Sequence, residues 1–288
     1  MSDADVLRYA AFTDAGVGGN PAGVVLDARD LDRDGRLAIA ASVNFSETAF
    51  LEPDPSDGRR FTLRFFSPRA EVAFCGHATI AAAVALAERV GTGPLHFDTL
   101  SGPVPVETRL EGSGVVATLT SPPARTQPAD ASDVAEALGA LDWHARDLDV
   151  RYPAHVAWAG VSHLILAAAT RERLARLSYD FDALGRVMAR TGWTTVHLVH
   201  AASPDHFSAR NPFPPGGVVE DPATGAAAAA FGGYLRALDL VEVPGRVTII
   251  QGEEMGRRSC LIVDLDAGTD HVRVSGAASK IAGPPWPA

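Results

Sequence analysis

Two runs of small apolar residues interrupt the otherwise strand-like pattern of the chain. One run follows Phe74-Cys-Gly-His77, the other follows Glu220-Asp-Pro-Ala-Thr-Gly225, and both are rich in Ala. Ala has the highest intrinsic helix propensity, so each run predicts a helix that begins at a polar turn. Small side chains on all sides suit a helix that packs inside a sheet.

Most other hydrophobic segments have the length and composition of strands. In the first half they span residues 6–13, 24–26, 44–51, 60–66, 95–98, 104–110 and 115–119, with helical spacing over residues 31–43. In the second half they span residues 147–152, 154–159, 162–168, 194–201, 207–211, 246–251, 259–263 and 271–274, with helical patterns at 133–139, 170–176 and 181–190. Each half is therefore predicted to contain several strands and one buried helix.

The two Ala-rich segments indicate a duplication. Aligning Gly76 with Gly225 places them 149 residues apart (225 − 76), about half of the 288-residue chain, as expected for tandem copies of one domain. Residues 120–132 are the segment richest in Pro and Ser, which predicts a linker there. We therefore predict an α+β protein with one domain over residues 1–120 and a second over residues 121–288, whose residues from about 275 onward pack with the first.

The composition narrows the function classes. With 47% hydrophobic and 21% charged residues, the chain is typical of a globular protein. Its 35 acidic and 25 basic residues give a net charge of −10, which argues against nucleic acid or an anionic membrane as a partner. The N-terminus lacks the features of a signal peptide, no apolar run approaches the ~18 residues of a membrane span, and only two Cys are present, so a soluble cytoplasmic protein is expected.

The start of each Ala-rich helix is a natural binding site for an anion. The first N–H groups of a helix lack internal partners and lie at the positive end of its dipole, so they can hold a carboxylate or phosphate without Lys or Arg. Thr224 or Asp221 is expected to cap the second helix, and Gly225 would let a ligand come close to the backbone.

Glu47, His77 and Cys75 are the candidates for acid–base chemistry in the first half. Glu47 lies between Phe45 and Phe50, so its carboxylate is either solvated on the outer face of an edge strand or partly withdrawn from water, as a general base requires. His77 falls in the first helical turn, where the dipole favours neutral imidazole, and it either donates a hydrogen bond or merely caps the helix. Cys75, at the same turn, is either a reactive thiolate or a packed small residue.

Common nucleotide and metal motifs are missing from the sequence. The Gly-rich segment 14–23 predicts a tight turn, because it lacks the third Gly of a dinucleotide fingerprint and the Gly-Lys-Ser/Thr of a phosphate loop. Asn20 in this segment could still present its amide to a ligand. His197 and His200 are three apart on a predicted strand and so point to opposite faces, and no HxH, HExxH or paired CxxC motif occurs, so no metal site is expected.

Five separated motifs resemble, in order and spacing, the phenazine-biosynthesis PhzF-like isomerase family. They are Gly19-Asn-Pro-Ala-Gly-Val24, Ser46-Glu-Thr48, Cys75-Gly-His-Ala-Thr79, Glu220-Asp-Pro-Ala-Thr-Gly225 and Gln251-Gly-Glu-Glu-Met-Gly-Arg257. The resemblance implies a diaminopimelate-epimerase-like fold of two similar domains, each a curved mixed sheet or barrel around a central Ala-rich helix, with the active site in the cleft between them. It also implies an isomerase that needs no cofactor and forms a homodimer.

The resemblance also implies roles for single residues. By position, Glu47 resembles the family's general acid/base, and His77 and Asp221 resemble its polar partners. The substrate-binding set implied in this way comprises Asn20, Cys75, Gly76, Thr224, Gly225 and Ala226, with Gly76 and Gly225 offering backbone N–H groups. The sequence departs from the family at Ala226, where the dihydro-hydroxyanthranilate isomerase has Ser, so a contact through that hydroxyl cannot form here.

Three functions remain open from the sequence. The first is a cofactor-independent isomerase in which Glu47 moves a proton within a small carboxylated substrate, a cyclic diene or an amino-acid-like compound. The second is an amino-acid racemase or epimerase that uses Cys75 with Asp221 or Glu47, because inversion ordinarily needs one group on each face. The third is a small-molecule-binding protein without catalysis, which the joint presence of Glu47, His77 and Asp221 disfavours.

Overall fold

The computed structural model describes residues 5–112 and 114–281. Its described residues form two compact units, the first comprising residues 5–112, 114–120 and 275–281, and the second comprising residues 121–274. Residues 282–288, part of the C-terminal segment expected to pack with the first domain, lie outside the described residues.

Strands predominate in both units. In chain order they are β1 (Leu7–Thr13), β2 (Asn20–Val25), β3 (Glu47–Pro53), β4 (Arg60–Phe66), β5 (Glu71–Val72), β6 (Gly93–Thr99), β7 (Gly102–Glu111), β8 (Gly114–Thr120), β9 (Arg125–Pro128), β10 (His155–Trp158), β11 (Ser162–Ala167), β12 (Thr195–Ser203), β13 (His206–Phe213), β14 (Val218–Asp221), β15 (Gly245–Gln251), β16 (Ser259–Leu265) and β17 (Arg273–Lys280). The helices are α1 (Arg33–Val43), α2 (Gly76–Val90), α3 (Ala131–Ala140), α4 (Arg171–Ala175), α5 (Phe181–Thr191) and α6 (Gly225–Ala237).

Unit 1 is a mixed sheet wrapped around α2. The strand order is β17-β1-β2-β3-β4-β6-β7-β8. Each strand pairs with the next in this order, in parallel for β2 with β3 and for β4 with β6, and antiparallel for the other pairs. A pairing of β8 with β17 closes the sheet on itself. Helix α2 packs against β1, β2, β3, β7 and β8, and every residue from 77 to 87 is buried. Its Ala side chains let the helix fit inside the curved sheet.

Unit 2 repeats this topology. The strand order is β9-β10-β11-β12-β13-β15-β16. Each strand pairs with the next, in parallel for β11 with β12 and for β13 with β15, and antiparallel for the other pairs. Helix α6 packs against β9, β10, β11 and β16 and occupies the place that α2 has in unit 1. The first residues of the two helices are Gly76 and Gly225, so the alignment on which the predicted duplication rested is confirmed.

Close approach in unit 2 explains a Gly pair inside α6. A β-carbon on Gly233 would lie 2.4 Å from the β-carbon of Ala124, and one on Gly232 would lie 2.7 Å from the side chain of Val263. Each Gly inside a helix costs about 1 kcal/mol relative to Ala. Gly is needed at these positions despite this cost, because a larger side chain would overlap with Ala124 or Val263 and push α6 away from them.

The opposite face of the unit 2 sheet carries a second core. Leu164 and Leu166 of β11 and Val196 and Leu198 of β12 pack with residues of α3 and α5. Side chains alternate along a strand, so the residues between them face α6. These include His197, whose ring contacts that of Phe231 in α6 at a centroid distance of 5.3 Å.

Three local predictions differ from the structure. Residues 147–152 are not a strand: after a 3-10 turn at Ala145–Asp147, the Asp149 carboxylate accepts the N–H of Arg151 at 3.0 Å and forms a turn. The predicted linker 120–132 contains β9, which pairs with β10, and the capping residue Asp130 of α3. The predicted loop 14–23 is shorter, because β2 begins at Asn20.

Among the described residues, none of the helices combines the length and apolarity needed to span a bilayer.

Candidate active site

Glu47, Cys75 and His77 come together in unit 1. Glu47 is the first residue of β3, Cys75 is the N-cap residue of α2, and His77 lies in the first turn of that helix. The Glu47 Oε2 atom is 3.5 Å from Cys75 Sγ and 3.5 Å from His77 Nε2. The His77 Nδ1 atom is 3.3 Å from Cys75 Sγ. A carboxyl, a thiol and an imidazole therefore touch one another at the start of α2.

The surroundings decide between the alternatives left open by the sequence. The His77 side chain is 7% exposed and that of Glu47 is 17% exposed, so the Glu47 carboxylate is partly withdrawn from water rather than solvated. Ser46 Oγ lies 3.3 Å from His77 Nε2. The His77 ring thus contacts Ser46, Glu47 and Cys75, which makes it a member of the cluster and not merely a helix cap.

The start of α2 adds positive potential to this cluster. Among the described residues, the Cys75 side chain makes no capping hydrogen bond to the helix, whereas its backbone oxygen accepts the Thr79 hydroxyl at 2.7 Å. The first N–H groups of the helix have no partner inside the helix, and the dipole places its positive end there. The backbone at Gly76 can therefore stabilise negative charge that develops close to Glu47.

Asn20 opens β2, the strand that pairs in parallel with β3. It is buried and stands opposite Ala11 of β1 in the register, while Ala22 stands opposite Glu47. The neighbouring Gly19 has a φ of +82°, and a β-carbon there would lie 2.7 Å from the Ala11 carbonyl oxygen. Only Gly fits this position, which explains the Gly-Asn pair.

Unit 2 carries the remaining predicted residues. Asp221 ends β14 and is buried, and Gly225 is the first residue of α6. The Thr224 hydroxyl donates to Asp221 Oδ2 at 2.6 Å. Thr224 is the N-cap residue, as predicted, but within the described chain its side chain makes no capping hydrogen bond to the helix. Ala226 follows and is half-buried.

Gln251 holds the turn before α6 in place, a role that sequence reasoning missed. Its Nε2 atom donates to the backbone oxygen of Asp221 at 2.7 Å and to Thr224 Oγ1 at 3.0 Å, and its Oε1 atom accepts from the Thr224 N–H at 3.2 Å. Gln251 is fully buried. The signal in the sequence was a Gln at the end of a hydrophobic strand pattern, where a buried amide needs partners.

A buried ion pair braces the same turn on its other side. Arg210 Nε and Nη2 donate to Glu220 Oε1 and Oε2 at 2.9 and 2.5 Å, and Arg210 Nη1 donates to the Ala175 carbonyl oxygen at 2.9 Å. Both side chains are almost completely buried. Bidentate pairing satisfies the charges away from water and fixes the strand that ends at Asp221.

His197, one of the two histidines considered as metal ligands, and the nearby His163 are buried structural residues. His200, the other histidine considered, is half-buried, and burial lowers its pKa below the usual value. The His197 Nδ1 atom is 2.7 Å from Asn211 Oδ1, and the His163 Nδ1 atom is 2.8 Å from Thr195 Oγ1. Burial lowers the pKa of His197 to about 4, and burial with the nearby His197 lowers that of His163 to about 3. Both are therefore neutral at neutral pH. The group of potential metal ligands in the described chain is Glu47, Cys75 and His77, which come from segments too far apart for the local motifs to detect.

Comparison with known proteins identifies the family. The profile of the phenazine biosynthesis-like protein family, PhzC-PhzF, matches residues 9–283. The chain belongs to this family. An uncharacterized isomerase of Bacillus subtilis, YfhB, is 30% identical over 288 residues, covering 96% of this chain and 95% of that protein. The trans-2,3-dihydro-3-hydroxyanthranilate isomerase of Pseudomonas chlororaphis is 31% identical over 273 residues, covering 92% of this chain and 93% of that protein.

Solved structures agree with the fold of this PhzF-family chain. A predicted epimerase from Pseudomonas aeruginosa superposes with a TM-score of 0.85 at 27% identity, covering 98% of both chains. A hydroxyproline epimerase from Agrobacterium vitis superposes with a TM-score of 0.64 at 15% identity, covering 96% of this chain and 90% of that chain, which is a likeness of fold alone. The α+β, epimerase-like fold implied by the sequence motifs is thereby confirmed.

Proposed function

We propose that this chain is a cofactor-independent isomerase that moves a proton within a small carboxylated substrate through Glu47. The chain is an isomerase of the PhzF family, and two relatives that cover 96% and 92% of it are named as isomerases. The substrate class is a small carboxylated cyclic diene or amino-acid-like compound. Ala226 offers no hydroxyl, so the substrate is held without that contact.

The contact between the partly buried Glu47 carboxylate and the His77 ring at the start of α2 carries the proposal. Glu47 takes the proton from carbon, and the electrons of the broken C–H bond delocalise into the adjacent conjugated system. The start of α2 and the His77 ring stabilise the resulting negative charge. The protonated Glu47 then returns the proton to a second carbon on the same face. Such an allylic shift needs one acid–base group.

A racemase or epimerase is the second candidate, and one observation favours it. The Cys75 Sγ atom lies within 3.5 Å of both the Glu47 carboxylate and a nitrogen of the His77 ring, so a base able to activate the thiol is in contact with it. In this function, Cys75 removes or returns a proton on one face of the stereocentre, and a second acid–base group acts on the other face.

Deuterium exchange separates these functions. The full chain is incubated in deuterated water with a panel of carboxylated dienes and L- and D-amino acids, and products are followed by NMR. Deuterium at an allylic carbon with a shifted double bond supports the isomerase. Exchange at the α-carbon with inversion supports the epimerase instead. If no compound of either class exchanges deuterium, both the isomerase and the epimerase are contradicted, and a binding protein without catalysis is favoured.

The prediction of a cytoplasmic homodimer without nucleic-acid or membrane partners belongs to the same proposal. The acidic net charge of −10 supports the exclusion of polyanionic partners. Sedimentation equilibrium of the full chain measures the oligomeric state, and a mass of about 60 kDa, twice the 30.1 kDa of one chain, is expected for the dimer.

A further inference from the structure

The acid–base cluster of unit 1 also has the composition of a metal site. The Glu47 carboxylate, the Cys75 thiol and the His77 imidazole each offer one ligand atom, and these atoms all lie within 4.8 Å of one another. The three ligand types are those that zinc binds in proteins. Proton transfer needs only a carboxylate and a partner that orients it. A carboxylate and an imidazole together with a thiol also form a ligand set for a soft divalent ion.

The distances between the ligand atoms are close to those around one tetrahedral ion. Zinc bonds of about 2.3 Å to sulfur and about 2.0–2.2 Å to nitrogen and oxygen require ligand atoms about 3.3–3.6 Å apart. Glu47 Oε2 is 3.5 Å from Cys75 Sγ and 3.5 Å from His77 Nε2, and Cys75 Sγ is 3.8 Å from His77 Nε2. Small side-chain rotations are enough to seat the ion, with the Ser46 hydroxyl giving up its contact with Nε2.

The charges of the site suit a divalent cation. The positive end of the α2 dipole opposes a cation, but it also favours the thiolate form of Cys75 that the ion requires. Thiolate and carboxylate together supply two negative charges at bonding distance, and this direct neutralisation outweighs the partial charge of the helix end. The side chains of His77 and Glu47 are 7% and 17% exposed, so the ligands are held in a partly dry site that water can still reach.

We propose that Glu47, Cys75 and His77 bind one Zn²⁺ ion through three protein ligands, leaving the fourth position to water. Binding releases the Cys75 thiol proton to the solvent as the Zn–S bond forms, with no change of oxidation state. The bound ion occupies the lone pairs with which Glu47 would accept a proton, so Zn²⁺ inhibits the enzyme. This inhibition rests on the proposed isomerase function, whereas the binding itself does not.

Titration with Cd²⁺ and Zn²⁺ tests the binding. The full chain, stripped with a chelator that is then removed, is titrated with Cd²⁺ while the ultraviolet thiolate-to-metal charge-transfer absorption is recorded, and Zn²⁺ is then added as competitor. One equivalent of Cd²⁺ should produce the band, and Zn²⁺ should remove it. Cys75→Ser should abolish the band, whereas the matched control Cys260→Ser should retain it. Far-UV circular dichroism confirms that each variant is folded.

Two further variants test whether the site has three ligands. Glu47→Gln and His77→Gln should keep the band but weaken the affinity by at least about tenfold each, because each loses a good ligand. Unchanged affinity in both variants would show a lone thiol and overturn the proposal, as would a band that survives in Cys75→Ser. Release of about one proton per bound Zn²⁺, measured in weak buffer, supports coordination by the thiolate.

The inhibition is tested separately from the binding. If deuterium exchange is established for a substrate, stoichiometric Zn²⁺ should abolish it and chelator should restore it. Full exchange by the Zn²⁺-loaded chain would overturn the inhibition. If no substrate shows exchange, the proposed function fails while the Cd²⁺ titration still decides whether the site exists.

Discussion

Acidification tests the packing of two histidines inside unit 2. Burial lowers the pKa of His163 to about 3 and of His197 to about 4, from an ordinary value of 6.5. Below pH 6.5 the unfolded chain binds a proton at each site that the folded chain does not bind. The stability due to the neutral histidines is therefore present above pH 6.5 and is lost as the pH falls toward the folded pKa values.

The size of this loss follows from the two shifts. Each histidine contributes up to about 1.4 kcal/mol per pH unit, so each should remove roughly 2.5 kcal/mol of unfolding free energy between about pH 7.5 and 4.5. Together they should remove about 5 kcal/mol, which is a large part of the stability of an ordinary domain. Unit 2 should consequently become acid-labile well above the range in which carboxylates titrate.

Urea unfolding at a series of pH values measures the effect. His163→Gln and His197→Gln keep a hydrogen-bonding group but cannot titrate, so each variant should lose about 2.5 kcal/mol less than the wild type over this pH range, whatever its stability at neutral pH. His144→Gln replaces an exposed histidine and serves as the control. If all four proteins showed the same dependence on pH, the two histidines would not be buried as neutral groups.

Four other substitutions test particular contacts. Gly233→Ala should destabilise the chain by about 1–3 kcal/mol in urea unfolding, because the new β-carbon would lie 2.4 Å from another. A β-carbon on Gly139 in α3 would have no neighbour within 4 Å, so Gly139→Ala should stabilise the chain by up to about 1 kcal/mol. Equal effects of Gly233→Ala and Gly139→Ala would refute the close packing of α6. Glu220→Gln should cost up to about 3–5 kcal/mol, because it removes the hydrogen-bonded counter-charge of buried Arg210 and leaves the Glu254 carboxylate 3.9 Å away. A loss below about 1 kcal/mol would contradict a tightly held Arg210–Glu220 pair. Cys75→Ala should retain most isomerase activity, whereas a loss of ~10³-fold in a folded variant would favour the epimerase.

Features encoded by neighbouring residues were predictable from the sequence. The Ala runs and the turns before them predicted α2 and α6 and the duplication, since helix propensity is a local property. The motifs of the PhzF family also selected Glu47, Cys75 and His77. In the structure these three meet although Glu47 is 28 residues from Cys75.

Features that depend on distant partners were not predictable. Gln251 bonds to Asp221 and Thr224 across about 30 residues, and nothing near Gln251 in the sequence indicates those partners. The sequence motifs for metal ligands did not include Glu47 for the same reason, because such motifs contain ligands at short spacing. The wrong prediction of a strand at 147–152 has a local cause. The Asp149 side chain binds the backbone of Arg151 and forms a turn, and the hydrophobic pattern contains no information on such a hydrogen bond.

The most direct test of the proposed function is the effect of Glu47→Gln on exchange and on binding. The substitution preserves the shape of the side chain and removes the base, so solvent deuterium exchange and turnover should fall by roughly 10²–10⁴-fold. Substrate affinity, measured by calorimetry on the same folded variant, should change little, since binding is assigned to the start of the helix and to neighbouring donors. Near-normal exchange in the folded Glu47→Gln chain would show that Glu47 does not move the proton and would contradict the account.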